Sequence, residues 1–131
     1  MENSGKSALG LDPNVAAGLA YLPVCAINLI MSIVIIATDK TNKLARFHAF
    51  QSLLLMGASI VGYIGVVIIS FIIGALANAI DMPALGFLGL LVLIVYAIAA
   101  LGALVMACIK AFQGQIYKLP IIGNMADNWS N

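Results

Sequence analysis

The stretch that decides the fold is residues 47–80, FHAFQSLLLMGASIVGYIGVVIISFIIGALANAI, which runs for 34 residues without a charged side chain. An α-helix needs about 20 consecutive apolar residues to cross the hydrocarbon core of a bilayer. The run is longer than one crossing requires and shorter than two crossings require. We therefore predict one spanning helix over about residues 47–75, followed by a turn through Asn78, Asp81 and Pro83.

Two further charge-free runs flank this one, at residues 13–38 and 82–109. They predict spanning helices over about residues 14–38 and 84–109. Pro13 suits the first position of a helix, and Pro23 is expected to kink the first span because proline removes one backbone hydrogen bond. Gly114 has the character of a helix C-cap. The predicted fold is thus all-α: an integral membrane protein with three transmembrane helices, in one domain over residues 1–131.

The composition supports lipid as the solvent of this chain. Of its 131 residues, 63% are hydrophobic and only 8% are charged, whereas a soluble domain carries roughly 25% charged residues. The net charge of +1 argues against nucleic-acid binding, which requires a dense basic face. With one histidine and no metal or nucleotide motif, the sequence predicts no cofactor and no metal site.

The C-terminal residues 115–131 form a tail that is too short, and too broken by Pro120 and Gly123, to cross the membrane. Aromatic side chains concentrate at the headgroup layer of a bilayer. We therefore predict an interfacial tail, and the residues that suit this layer are Tyr117, Ile121, Ile122 and Trp129.

Small residues recur at helical spacing in the second and third spans, which lets helix backbones approach closely. Asn28 is the deepest strongly polar side chain and is expected to hydrogen-bond to another helix. The surface formed by these residues packs either within this chain or against a partner subunit. The predicted packing residues are Asn28, Ala58, Gly62, Ser70, Gly74, Ala99, Ala103 and Ala107.

Four motifs occur in order along the chain: LDPNVAA at 11–17, RFHAFQS at 46–52, AFQG at 111–114 and YKLPIIGNMA at 117–126. Together they resemble a family of small, uncharacterised prokaryotic membrane proteins. That family is distantly related to the twenty-kilodalton import component of the chloroplast inner envelope, chiefly through the FHAFQS region. The resemblance implies a three-helix membrane protein without an established reaction.

The polar residues of these motifs converge on one side of the membrane in the predicted topology. They are expected to contact anionic headgroups, to hold a defined partner surface, or to fix the tail against the second helix. An alternative for the lone histidine is axial ligation of a haem or chlorophyll. The predicted contact residues are Arg46, His48, Gln51, Lys110, Gln113, Tyr117, Lys118 and Pro120.

No residue set supports catalysis. A triad lacks its second histidine and a membrane-embedded acid, and mid-span Asp, Glu or Lys, on which ion pumps depend, are absent. We predict a non-enzymatic accessory, assembly or translocation-related subunit of a larger membrane complex, with membrane protein partners. The alternatives are a small homo-oligomeric channel or carrier, and a pigment- or haem-contacting subunit of a photosynthetic or respiratory complex through His48.

The distribution of cations predicts the orientation. Residues 39–46 hold three of the six Lys and Arg residues and residues 110–118 hold two, whereas Lys6 is alone in residues 1–13. The positive-inside rule then places the N-terminus outside and the C-terminus in the cytoplasm of a prokaryotic inner membrane. Cys25 and Cys108 fall at different depths, so we expect two packing residues rather than a disulfide.

Overall fold

The computed structural model describes residues 5–22 and 27–131, and within these residues all regular secondary structure is helical. This agrees with the all-α prediction. Two short 3₁₀ helices cover Ala8–Gly10 and Pro83–Gly86. The α-helices in chain order are α1 (Pro13–Leu19), α2 (Ile27–Thr38), α3 (Lys43–Ala79), α4 (Phe87–Phe112) and α5 (Ile122–Ser130).

Two segments of the described chain are long and apolar enough to cross a membrane: Lys43–Ala79 and Pro83–Phe112. They contain the predicted spans 47–75 and 84–109. Large apolar side chains on both are exposed, such as Phe71 at 77%. Apolar surface of this extent fits contact with lipid and does not fit contact with water.

The first predicted span, 14–38, differs from the structure, because two separate helices, α1 (Pro13–Leu19) and α2 (Ile27–Thr38), lie in this part of the chain. Helix α1 ends at Leu19, and Leu22 is non-helical. Leu22 precedes Pro23, and a proline disfavours the helical conformation of the residue before it. Pro23 itself and its predicted kink, like Cys25, lie outside the described residues.

Helices α1 and α2 run in opposite directions. The hydroxyl of Ser7 donates to the Asp39 carboxylate just beyond the C-terminal end of α2, and the Asn42 amide donates to the Lys6 carbonyl (3.1 Å). At the other end, Ser32 Oγ donates to the carbonyl of Ala20 (3.4 Å). The predicted orientation places the N-terminal segment and the loop at 39–46 on opposite sides of the membrane, whereas these contacts bring the two segments together.

Contacts divide the chain into two compact units, Met1–Met56 with Ala103–Asn131, and Gly57–Gly102. In the second unit, the Tyr96 hydroxyl donates to the Ser59 carbonyl, and Ser70 Oγ donates to the Gly89 carbonyl (2.9 Å). A Cβ at Gly62 would lie only 2.7 Å from the Tyr96 hydroxyl. The small residue at Gly62 therefore permits a close approach of α3 and α4 within this unit.

The other predicted packing residues lie in different surroundings. Ala58 and Ala99 are exposed, and a Cβ at Gly74 would meet no atom within 4 Å. The Asn28 side chain accepts a hydrogen bond from the neighbouring Leu29 N–H (2.8 Å). Ala103 and Ala107 belong to an apolar cluster of the first unit, whose other buried members are Ala17, Tyr21, Leu44, Ala111 and Leu119.

Gly114 ends α4 in the manner predicted. Its φ is +74°, a left-handed conformation that glycine adopts at little cost. The Gly114 N–H donates to the Ala111 carbonyl and the Gln115 N–H donates to the Lys110 carbonyl, both at 3.0 Å. These two bonds form a Schellman cap, which satisfies carbonyls at the helix end and turns the chain into the tail.

Replacing Gly114 with alanine is expected to weaken the tail's attachment by about 1–2 kcal/mol, because a Cβ is strained at positive φ. The added Cβ would also lie 2.8–3.1 Å from the Asn14 side chain. Fluorescence of Trp129, the single tryptophan, measures the loss during denaturant unfolding. Gly102→Ala is the matched control, since a Cβ there meets no atom within 4 Å. Equal stability of the two variants would contradict the prediction.

Candidate functional site

The first turns of α3 carry polar side chains toward the interior of the protein. His48 and Gln51 are fully buried, and Ser52 is 2% exposed. Residues three and four apart share one face of a helix, so His48, Gln51 and Ser52 point the same way. Buried polar groups are costly unless hydrogen-bonded, and each of these three has partners in distant parts of the chain.

Gln51 binds the backbone of the tail. Its Nε2 donates to the Tyr117 carbonyl (2.9 Å), and its Oε1 accepts from the Leu119 N–H (2.9 Å). The second Nε2 proton goes to the hydroxyl of Tyr21 (2.8 Å). One amide side chain thus joins α3, the segment after α1 and the tail.

His48 extends the same network. Its Nε2 lies 2.8 Å from the Gln115 carbonyl and its Nδ1 lies 3.0 Å from the Tyr21 hydroxyl. A carbonyl only accepts, so Nε2 carries the proton and Nδ1 accepts from the tyrosine in the neutral imidazole. Hydrogen bonds therefore run in one direction, from Gln51 to Tyr21, to His48 and to the tail backbone. We call His48, Gln51 and Tyr21 with the tail backbone at 115–119 the tail latch.

Arg46 completes the attachment at the other end of the tail. Its guanidinium donates to the carbonyls of Ile36 (3.2 Å) and Asp39 (2.8 Å), and its Nε donates to the Ser130 carbonyl (3.3 Å). The last carbonyls of a helix lack partners within the helix and carry partial negative charge. Arg46 thus caps the C-terminal ends of α2 and α5 together.

Helix α5 packs against the start of α3 through an aromatic pair and ionic contacts. The rings of Phe50 and Trp129 meet edge to face, with centroids 6.0 Å apart. Asp127 pairs with Lys118 (2.8 Å) and Lys43 (3.0 Å). Hydrogen bonds from Lys118 and Lys43 hold the pKa of the Asp127 carboxyl below its usual range.

Asp39 organises the turn between α2 and α3. Its carboxylate accepts from the Thr41 and Asn42 N–H groups, both at 3.1 Å, and from Ser7. Burial alone would raise the pKa of Asp39, but the hydrogen bonds from Ser7, Asn42 and Thr41 outweigh it and lower the pKa. The carboxylate therefore stays ionised while it ties the N-terminal segment to this turn.

The docking of α5 is expected to depend on pH through Asp127. A carboxyl whose folded pKa is lowered stabilises above its ordinary pKa, about 4, and that contribution is lost as the pH falls through the lowered value. Trp129 fluorescence should report a docked helix at neutral pH and a change below about pH 4. Asp127→Asn should show an already altered emission at neutral pH and a smaller change on acidification.

Asp12→Asn is the matched control for this titration, because Asp12 pairs only with Lys6 among the contacts described for its side chain. Between pH 7 and about 4, the Trp129 emission of Asp12→Asn should equal that of the wild-type protein. A wild-type titration identical to that of Asp127→Asn would contradict the role of the carboxylate.

The structure brings several of the predicted contact residues together at the tail latch and beside it, where their partners belong to this chain. Arg46, His48 and Gln51 bind this chain's own backbone, and Tyr117 contributes its carbonyl. The remaining predicted residues lie around this site: Lys118 pairs with Asp127, Lys110 lies in the last turn of α4, and Gln113 and Pro120 are exposed.

The sequence reasoning did not find Tyr21, Asp39 or Asp127. Tyr21 lies within an apolar run, and nothing local marks it as a member of the network. A signal for Asp127 was available, because a carboxylate in a tail that also carries Lys118 predicts an ion pair. No comparable signal joins Tyr21 to residues 30 positions away.

The chemistry open to this site is limited by its own bonding. Both ring nitrogens of His48 already have partners, so axial ligation of a metal would break the latch. Every buried side-chain nitrogen and oxygen in the described residues has a hydrogen-bond partner. Within the same residues, no three His, Cys, Asp or Glu side chains lie close enough to hold a metal ion. The arrangement holds the peptide backbone of the tail in place.

Helices of spanning length, exposed apolar faces and an internally satisfied polar end define the class of this chain as an α-helical membrane protein. It belongs to the magnetosome magnetite crystal formation protein family, which matches over residues 12–126.

Two relatives come from the archaeon Methanocaldococcus jannaschii, and both are described as UPF0132 membrane proteins. The chain is 29% identical to one over 126 residues, which cover 96% of each protein. It is 26% identical to the other over 122 residues, which cover 93% of this chain and 73% of the relative. No solved structure matches the chain.

Proposed function

We propose that this chain is a non-enzymatic membrane protein of the prokaryotic inner membrane that acts through contacts, as an accessory or assembly subunit of a larger membrane complex. The observation that carries the proposal is the tail latch. The polar side chains that could take part in a reaction are His48, Gln51 and Tyr21. They are buried and hydrogen-bonded to one another and to this chain's own backbone. The groups left at the surface are suited to contact and not to reaction.

The docked tail supplies the surface for a protein partner in this proposal. Apolar side chains stand exposed along it, among them Ile121 at 81%, Trp129 at 48% and Tyr117 at 39%. Aromatic and apolar residues of this kind anchor protein interfaces and also suit the headgroup layer. The latch fixes their positions, so that a partner meets one defined surface.

The family description names magnetosome magnetite crystal formation. The proposal assigns this chain a structural part in its membrane. A translocation-related role rests on the resemblance of residues 47–52 to the chloroplast import component. It stays a prediction, as does that distant relationship.

Native mass spectrometry of the protein extracted from its own membrane in mild detergent tests the proposal. A stable hetero-complex is expected. Gln51→Ala should lose the partner, while Gln113→Ala, an exposed glutamine at the same end of the protein, should retain it. A homo-oligomer that conducts ions in planar bilayers would favour the channel alternative. A monomer that copurifies with no other protein would contradict the proposal.

A further inference from the structure

Helices α1 and α2 are each too short to cross a bilayer. At 1.5 Å per residue, the 7 residues of α1 extend about 10 Å and the 12 residues of α2 about 18 Å. The hydrocarbon core is about 30 Å thick. Each helix could enter the membrane, and neither could leave on the opposite side.

The residues before α1 and the residues after α2 lie next to each other. Ser7, before α1, contacts Asp39, after α2, and Lys6 contacts Asn42. Ala16 and Ala20 of the first arm pack with Met31 and Ile35 of the second in one apolar cluster. Entry and exit are therefore side by side.

We infer that α1 and α2 are the two arms of a re-entrant hairpin, which enters and leaves the bilayer on one face, so that the chain crosses the membrane only twice. The N-terminal segment then shares a face with the loop at 39–42 and with the tail. This inference concerns topology and does not depend on the proposed function.

The surroundings of the hairpin meet the condition that lipid imposes on irregular backbone. Non-helical backbone at membrane depth is tolerated only where protein buries it and satisfies its polar groups. Ala17, Ala20 and Tyr21 are fully buried. The carbonyl of Ala20, at the end of α1, accepts hydrogen bonds from the hydroxyls of Ser32 and Ser52.

A second carbonyl of α1 is covered in a similar way. The Cys108 thiol of α4 lies 3.6 Å from the Gly18 carbonyl. A Cβ at Gly18 would collide with the ring of Phe112, so α4 lies directly against this turn. Side chains from α2, α3 and α4 thus enclose the end of α1.

The charge distribution agrees with this topology. Entry and exit on one face bring Lys6 to the side that already carries the other cations, and the positive-inside rule favours such clustering. No cation is then left on the far side, where residues 57–102 contribute Asp81 as their one charged residue. The six cations are Lys6, Lys40, Lys43, Arg46, Lys110 and Lys118.

Cysteine labelling in cells tests the inference. Single cysteines are introduced as Gly5→Cys, Thr41→Cys or Asn78→Cys, with Cys25 and Cys108 replaced by alanine. Each cell sample is treated with a membrane-impermeant maleimide before and after permeabilisation. The re-entrant hairpin predicts that Gly5→Cys and Thr41→Cys label alike and opposite to Asn78→Cys. Labelling of Gly5→Cys on the side of Asn78→Cys would overturn it.

A second measurement keeps both native cysteines. A reporter that fluoresces only in the cytoplasm is fused before Met1 in one version and after Asn131 in another. Two crossings place both ends in the same compartment, so both fusions should give the same signal. Opposite signals from two fully expressed fusions would show three crossings and overturn the re-entrant hairpin.

Discussion

Replacing Gln51 with alanine is expected to release the tail from α3. The change removes hydrogen bonds to Tyr117, Leu119 and Tyr21 and leaves the Leu119 N–H, at a residue only 7% exposed, without its partner. A buried donor left unsatisfied costs about 1–3 kcal/mol, to which the other lost bonds add. We expect a total of about 2–4 kcal/mol, and hence an open tail at least ~30-fold more populated.

Limited trypsin digestion measures this release without any further substitution. Lys118 precedes Leu119, so cleavage between them frees the peptide 119–131. Mass spectrometry identifies this peptide, and the absorbance of its Trp129 measures its amount. When opening is fast relative to cleavage, the rate follows the population of the open form. Gln113→Ala is the matched control and should be cleaved at the wild-type rate. Equal rates for the two variants would show that Gln51 does not hold the tail.

Replacing Arg46 with lysine is expected to cost about 1–3 kcal/mol, although the charge is retained. The guanidinium reaches three carbonyls, those of Ile36, Asp39 and Ser130. An ammonium is a point charge without the planar fork and cannot serve all of them. Hydrogen bonds from a charged group contribute about 1.5–3 kcal/mol each where buried, and less here because the side chain is partly exposed.

Thermal unfolding in detergent and the trypsin assay read out this change, with Lys40→Gln as the control for charge. Lys40 is exposed, and its ammonium reaches the Ile36 carbonyl only at 3.5 Å, a distance at which a hydrogen bond in water contributes little to stability. If Arg46 acts as a helix cap, Arg46→Lys destabilises and Lys40→Gln does not. If Arg46 serves only to attract anionic headgroups, Arg46→Lys leaves the unfolding temperature and the cleavage rate unchanged. Loss of the charge at either position then lowers the stability.

Helices α1 and α2 and the C-terminal tail show which features the sequence alone does not predict. The length of the apolar run at 13–38 predicts a spanning helix, and Pro23 predicts a kink in that helix. Whether α1 continues outward or folds back depends on partners that cover the carbonyls at its end, and those partners are Ser32 and Ser52. Ser52 lies 32 residues from Ala20 along the chain, so no local sequence pattern predicts the hydrogen bond between them.

The attachment of the tail also depends on contacts between residues far apart in the sequence. Its polar residues, with Arg46, His48 and Gln51, were expected at one surface, and attachment of the tail to the second helix was one of the alternatives. The choice among the alternatives depends on hydrogen bonds between His48 and Gln115, 67 residues apart, and between Arg46 and Ser130, 84 residues apart. Only the folded chain brings these groups within 3.5 Å.

The sequence by itself determined that lipid surrounds this protein. It also determined those helices and helix ends that depend only on residues close together in the chain. Uninterrupted apolar runs define α3 and α4, because backbone groups in lipid must be satisfied within a helix. Pro13 and Gly114 define a start and an end, because their backbone conformations suit those positions and few others. The tertiary structure decided the packing of α1 against α2 and the hydrogen bonds of Arg46, His48 and Gln51 within the chain. The physical reason is that a buried polar group must find a partner, and which distant carbonyl becomes that partner is fixed only when the helices pack.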